Sequence, residues 1–146
     1  MTEDYRTRND ASLARLGELV QNCTDSDLDR PLGEGWTVKA SLMHLAFWDR
    51  YAAAALQQWQ LSGYARSGED DAFINVAALN DWLAAAPEYA RSEPIAAAEA
   101  TNQAADALDD PLIAAIEAGG ETWVFNRYIH RNEHIEQIEQ ELAASP

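Results

Sequence analysis

The sequence predicts an all-α fold. Alanine, leucine, glutamate, glutamine and arginine, all good helix formers, dominate its 146 residues. Runs of β-branched residues with the two-residue alternation of a half-buried strand are missing, and no segment reads as a convincing strand. Apolar residues instead recur at helical spacing. A chain of this length fits one domain, residues 1–146, and can bury a substantial core without disulfides or a structural metal.

The segment from about Tyr5 to Asn22 sets Leu13, Leu16, Leu19 and Val20 on one side, which predicts a first amphipathic helix ending near CTDSD. DRPLGEG, with two glycines and a proline, reads as a connector. Thr37, just after Trp36, is a good N-cap for a second helix running to about Trp59, with Val38, Leu42, Leu45, Ala52 and Leu56 as its core stripe. LSGYARSGEDD is polar and glycine-containing, hence a loop, and DAFINVAALNDWLAAA is a further, shorter helix. Ser92 ahead of Glu93 and Pro94 predicts a fresh start for an alanine-rich helix reaching Leu108, followed by a turn at DDP and a short helical piece to Ala118. After the GG break, Thr122 is placed to cap a last helix whose stripe is Val124, Tyr128, Ile135, Ile138 and Leu142.

Twenty-five acidic residues against ten basic ones give a formal charge of −15, a field that repels phosphate backbones and anionic membrane surfaces. Nucleic acid and membranes are therefore not expected as partners. No apolar run approaches membrane-spanning length, and the opening MTEDYRTRND is polar rather than signal-like. Cys23 is the single cysteine, so no internal disulfide forms and a cysteine-built zinc site is excluded; a reducing cytoplasm is the simplest setting. Cys23 itself reads as a small buried apolar residue.

The stretch RYIHRNEHIEQIEQ sets His130 and His134 four residues apart, so on a helix both imidazoles project from one face and can share an ion. Both lie about a quarter turn from the apolar stripe. The third histidine, His44, has the same offset on the second helix, beside Trp48 and Tyr51, so the two helices can turn all three toward one groove. Three imidazoles without a fourth protein ligand leave coordination positions open, as catalytic zinc sites do. They suit zinc, nickel, iron or copper. The alternative is a pair of solvated histidines on a helix surface.

Asp49 falls within the apolar stripe of the second helix, where an unpaired carboxylate is costly, and Arg127 is its candidate partner. In a functional reading Asp49 orients a histidine or acts as a general base; otherwise it is one half of an ion pair. Tyr51 is placed to donate a hydrogen bond to a substrate oxygen. Trp36, Trp48 and Trp123 either wall a pocket or fill the core. Glu133 points about 100° away from His134 and reads as exposed.

GEGWTVKASLMHLAFWDRYAAAAL resembles the Trp, Thr or Ser, then His-Leu-Ala pattern that opens the second helix of DinB-like proteins. RYIHRNEHIEQIEQ resembles their closing His-x-x-x-His helix, and DAFINVAAL their aspartate and asparagine segment. The resemblance implies a four-helix bundle with an additional short helix between the second and third bundle helices. It also implies a divalent metal, zinc first, held by His44, His130 and His134. DinB-like relatives include mycothiol-dependent maleylpyruvate isomerases and thiol S-transferases, so the resemblance implies a low-molecular-weight thiol as cofactor and a homodimer; Trp48, Trp123 and Arg127, which lie beside the histidines on their helices, are the residues expected to contact the cofactor. A metal of this kind lowers the pKa of a bound thiol or water. With a thiol the site would attack a small electrophilic substrate; with water it would be a hydrolase; without catalysis it would be a metal-binding or structural bundle. Fold transfers more safely than function.

Overall fold

The computed structural model describes residues 4–68 and 71–144. Helix α1 spans Tyr5–Asn22, as its stripe predicts, and starts where the Asp4 side chain accepts from the Arg6 N–H. Thr24 and Asp27 form a reciprocal capping box that opens a one-turn helix, α2, at Asp25–Leu28.

The connector expected to be irregular holds a small antiparallel hairpin, β1 Pro31–Gly33 and β2 Trp36–Thr37. Strands of two and three residues are too short to leave an alternating pattern in the sequence. The turn places Glu34 at φ 57°, between Gly33 at 101° and Gly35 at 85°. The left-handed region costs a non-glycine residue about 1 kcal/mol.

Thr37 then caps α3, Val38–Ser62, its hydroxyl accepting from the Ala40 N–H at 3.1 Å. Helix α4, Asp71–Leu83, is the extra helix between the second and third long ones. Helix α5 runs Pro87–Asp106, earlier at its start than the expected Glu93. Pro87 at the first helical position is pre-organised for a helix. Pro94 lies buried inside α5 rather than at its start, and the packing of α5 against both α3 and α1 keeps the helix continuous across it.

Helix α6 spans Asp110–Gly119, capped by Asp109. Thr122 does not cap the last helix but opens a 3-10 turn, Thr122–Val124, and α7 begins only at Arg127 and ends at Ala143. Asn9, wholly buried on α1, explains the break. Its Nδ2 donates to the Phe125 carbonyl at 2.7 Å, and its Oδ1 accepts from the Tyr128 N–H at 3.0 Å. The cap of α7 is thus supplied by a distant side chain.

The four long helices close on one another: α3 packs on α5 and α7, and α1 packs on the same two. Helix α4 lies outside this bundle, against α3 and β2. The core has two apolar halves, one around Leu16, Leu42, Leu45, Ile135 and Ile138, the other around Leu56, Trp59, Leu108, Ile116 and Phe125. Cys23 belongs to the first. Between the halves lies a buried polar layer that includes Asn9, Asp49, Asn102, Arg127 and Arg131. No helix among the described residues is long and apolar enough to cross a membrane.

Candidate metal centre

Two antiparallel helices build the site. Ser41, His44 and Asp49 on α3 face His134, His130 and Arg127 on α7. The three imidazole rings lie 4.8–4.9 Å apart, centroid to centroid, and each offers a ligand nitrogen within 4.8 Å of the others. The Nε2 atoms of His44 and His130 are 2.9 Å apart. Ligand nitrogens about 2.1 Å from one ion are separated by roughly 3.0–3.4 Å, so this pair stands close to the spacing a shared metal requires.

Burial, with His134 beside it, lowers the His44 pKa to about 4. Burial and then the Arg127 guanidinium lower that of His130 to about 2. Burial also lowers His134, against the opposing pull of Glu133. All three are neutral at pH 7, the form in which imidazole binds a metal. His44 Nδ1 is the one buried side-chain atom without a hydrogen-bond partner among the described residues. Its ring is wedged edge-on between Trp36 and Trp82, 5.4 Å from each. The nitrogen that faces the other histidines is His44 Nε2, and three imidazoles that each offer one nitrogen to the same point fit a divalent cation.

A polar cluster fixes the floor beneath the histidines. Asp49, with no exposed surface, accepts from Arg127 Nε at 2.8 Å and from Arg131 Nε at 2.9 Å. Arg131, equally buried, also donates to the Asn9 carbonyl, Ser12 and Asn102, joining α1, α5 and α7. Arg127 donates from Nη2 to His130 Nδ1 at 3.1 Å and from Nη1 to the Trp123 carbonyl at 3.1 Å. A guanidinium can only donate, so in the metal-free chain His130 Nδ1 accepts and the ring proton lies on Nε2, directed at His44 Nε2; a metal taken at Nε2 requires that proton to leave or to move to Nδ1 with Arg127 giving way.

A cleft of about 410 Å³ opens onto the histidines, with Trp48, Trp123, Arg127 and Glu133 in its walls. Asp49 and Tyr51, expected as catalytic residues, are not among its lining. Both Asp49 oxygens accept from guanidiniums, Oδ1 from Arg127 and Oδ2 from Arg131, and Arg127 in turn meets His130. Tyr51 stacks on Trp123, centroids 6.0 Å apart, behind the wall. Trp36 borders the histidines from the hairpin side. Glu133 is exposed, as expected, yet stands on the cleft rim.

Several site residues are missing from the sequence-based expectations. Arg131 sits on the apolar stripe, three residues after Tyr128 and four before Ile135, and that position could have revealed it. Asn75 and Asp71, which line the cleft from α4, lie within the DAFINVAAL segment, but only their docking places them here. Asn9 carried no local signal.

Comparison with known proteins adds one match. The family model described as the DinB superfamily matches residues 8–142. No curated protein and no solved structure matches the chain.

Proposed function

The chain belongs to the DinB superfamily, and on that premise we propose that it is a metal-dependent enzyme joining a thiol to a small electrophilic molecule, as an S-transferase or thiol-dependent isomerase. The observation that carries the reading is the convergence of three neutral imidazoles, His44, His130 and His134, on one point of an open cleft. A divalent ion held there, zinc first, with nickel, iron or copper as alternatives, would lower the pKa of a thiol or water beside it and supply a nucleophile near neutral pH.

The chain's own residues do the rest. Trp48 and Trp123 line the cleft beside the histidines and supply apolar surface for a substrate. Arg127 orients His130 and brings positive charge to the cleft floor, while Asp49 holds Arg127 in place. Cys23 plays no part, because it is buried in the apolar core, where burial raises its thiol pKa.

Elemental analysis of the untagged protein beside His44→Ala and His130→Ala tests the reading. About one metal per chain in the parent, lost in both variants while helicity persists, is the expected result. A screen of small thiols with an activated aryl halide should then show turnover that depends on both metal and thiol. Absence of metal from every form, even after reconstitution, points instead to a non-catalytic bundle.

One observation favours hydrolysis as a second reading. Glu133 on the cleft rim is placed to accept a proton from water. That reading requires activity without added thiol and its loss in Glu133→Gln.

A further inference from the structure

We propose that the histidines sit at the waist of one groove with two chemically different ends, and that the groove holds two ligands at once: an anion on the Arg127 side and an ammonium- or hydroxyl-bearing group on the hairpin side. The proposal rests on the reading above and specifies its two reactants. Along the groove between α3 and α7, a second cleft of about 500 Å³ opens beyond the histidines, lined by Leu32, Glu34, Trp36, Ser41 and Gln137. His44, His134 and Asn75 line both clefts and form the waist between them.

Charge separates the two ends. Beneath the Arg127 end, one carboxylate, Asp49, serves two buried guanidiniums, while the further partners of Arg131 are neutral. One positive charge is therefore left without a counterion in a poorly screened place. Asp71 and Glu133, the acids of that cleft, are exposed, where water and salt weaken their field. Trp123, with Tyr51 stacked on it and the Arg127 guanidinium 5.6 Å from its centroid, and Trp48 give this end an apolar wall against which a planar anion can lie.

At the hairpin end no cation lines the cleft among the described residues, and Glu34 is its one charged side chain. Ser41, Asn75 and Gln137 add neutral hydrogen-bonding groups. Glu34 is exposed, so like Asp71 and Glu133 it acts through a weakened field; what sets this end apart is that no cation lines it among the described residues, which favours an ammonium or hydroxyl group over an anion. The backbone points the same way. Glu34 holds a left-handed conformation, φ 57°, between two glycines, where a glycine would sit without strain. Such strain persists where a side chain has a task. At the waist the orientation of Asn75 is fixed, because the Trp48 indole N–H, a donor only, binds its Oδ1 at 2.9 Å.

The test uses the full chain loaded with cobalt(II), with benzoate as the planar anion and cysteamine as the ammonium-bearing thiol, each titrated calorimetrically. Glu34→Gly should raise the cysteamine Kd by roughly three- to fivefold, the scale of an exposed ion pair, leave benzoate unchanged and keep or raise Tm. Trp123→Leu should raise the benzoate Kd by roughly three- to tenfold and leave cysteamine unchanged. Cysteamine should still bind when benzoate is saturating. If benzoate excludes cysteamine, or if either variant weakens both probes alike, the two-ended groove is overturned while the metal site stands. If the parent binds no cobalt, the metal reading falls. Benzoate and ethanolamine titrations of the metal-free variants, followed by tryptophan fluorescence, then decide the groove by the same selective pattern or its absence.

Discussion

Replacing Asp49 by asparagine tests the buried cluster that supports the site. The carboxylate accepts three guanidinium N–H groups, from Arg127 Nε at 2.8 Å, Arg131 Nε at 2.9 Å and Arg131 Nη2 at 3.2 Å. Asparagine keeps the shape and one oxygen but turns an N–H₂ group toward a guanidinium. Both arginines are at most 2 % exposed, so water cannot replace the lost charge. Breaking a buried pair of this kind costs about 3–5 kcal/mol, and each hydrogen bond to a charged group contributes roughly 1.5–3 kcal/mol. Against a total stability of about 5–15 kcal/mol, the loss is a large fraction, equivalent to a fall of about 10 °C in Tm. Urea unfolding followed by far-UV circular dichroism measures it. The exposed pair Arg15–Glu139, 3.0 Å apart, provides the internal comparison, because Glu139→Gln should cost less than about 1 kcal/mol. A loss below about 1 kcal/mol in Asp49→Asn would refute the argument, since it would mean that the arginines find other compensation.

Other outcomes follow from the same geometry. Asn9→Ala removes the cap of α7 and leaves the Tyr128 N–H and Phe125 carbonyl unpaired; a loss of about 1–3 kcal/mol is expected in urea unfolding. In Gly119→Ala the new Cβ would overlap the Tyr64 hydroxyl, so Tyr64 must swing away from its 2.7 Å bond to Glu121; loss of that half-buried bond costs about 1 kcal/mol, and an unchanged Tm would contradict it. The histidines impose a pH dependence on the metal-free protein. His44 is held near 4 in the fold against an ordinary value of about 6.5, so between those values the unfolded chain binds more protons. Stability should be full above about pH 6.5 and fall as pH drops toward 4, and His44→Gln should flatten that slope in Tm measured across the window. Metal affinity of the folded chain should fall only as pH approaches the lowered histidine values, for His44 about 4, because protonated imidazole is not a ligand.

Much of the bundle is legible from local pattern. The ends of α1, the Thr37 cap and the stripe Val38, Leu42, Leu45, Ala52 and Leu56, all without exposed surface, follow from side-chain periodicity and capping chemistry within a few residues. The hairpin does not, because its strands are shorter than any repeat. The starts of α5 and α7 also escape local reading: Pro94 looks like a helix start yet is accommodated by packing, and α7 waits for a cap from a residue 119 positions earlier.

The site divides along the same line. The four-residue step from His130 to His134, and the matched offset of His44, are properties of single helices, so the sequence alone determines that these residues share faces. That the faces meet, with Arg127 on His130 and Trp48 on Asn75, depends on how α3, α4 and α7 dock. The same holds for Arg131: its place on the apolar stripe is a sign of burial, but the acceptors that make burial of its charge possible come from α1, α3 and α5. Periodicity is set within one or two turns of chain, whereas desolvation of a charge is decided by every element around it. The sequence therefore determined the helices and the candidate ligands, and the tertiary structure decided which charges are buried and what the groove can receive.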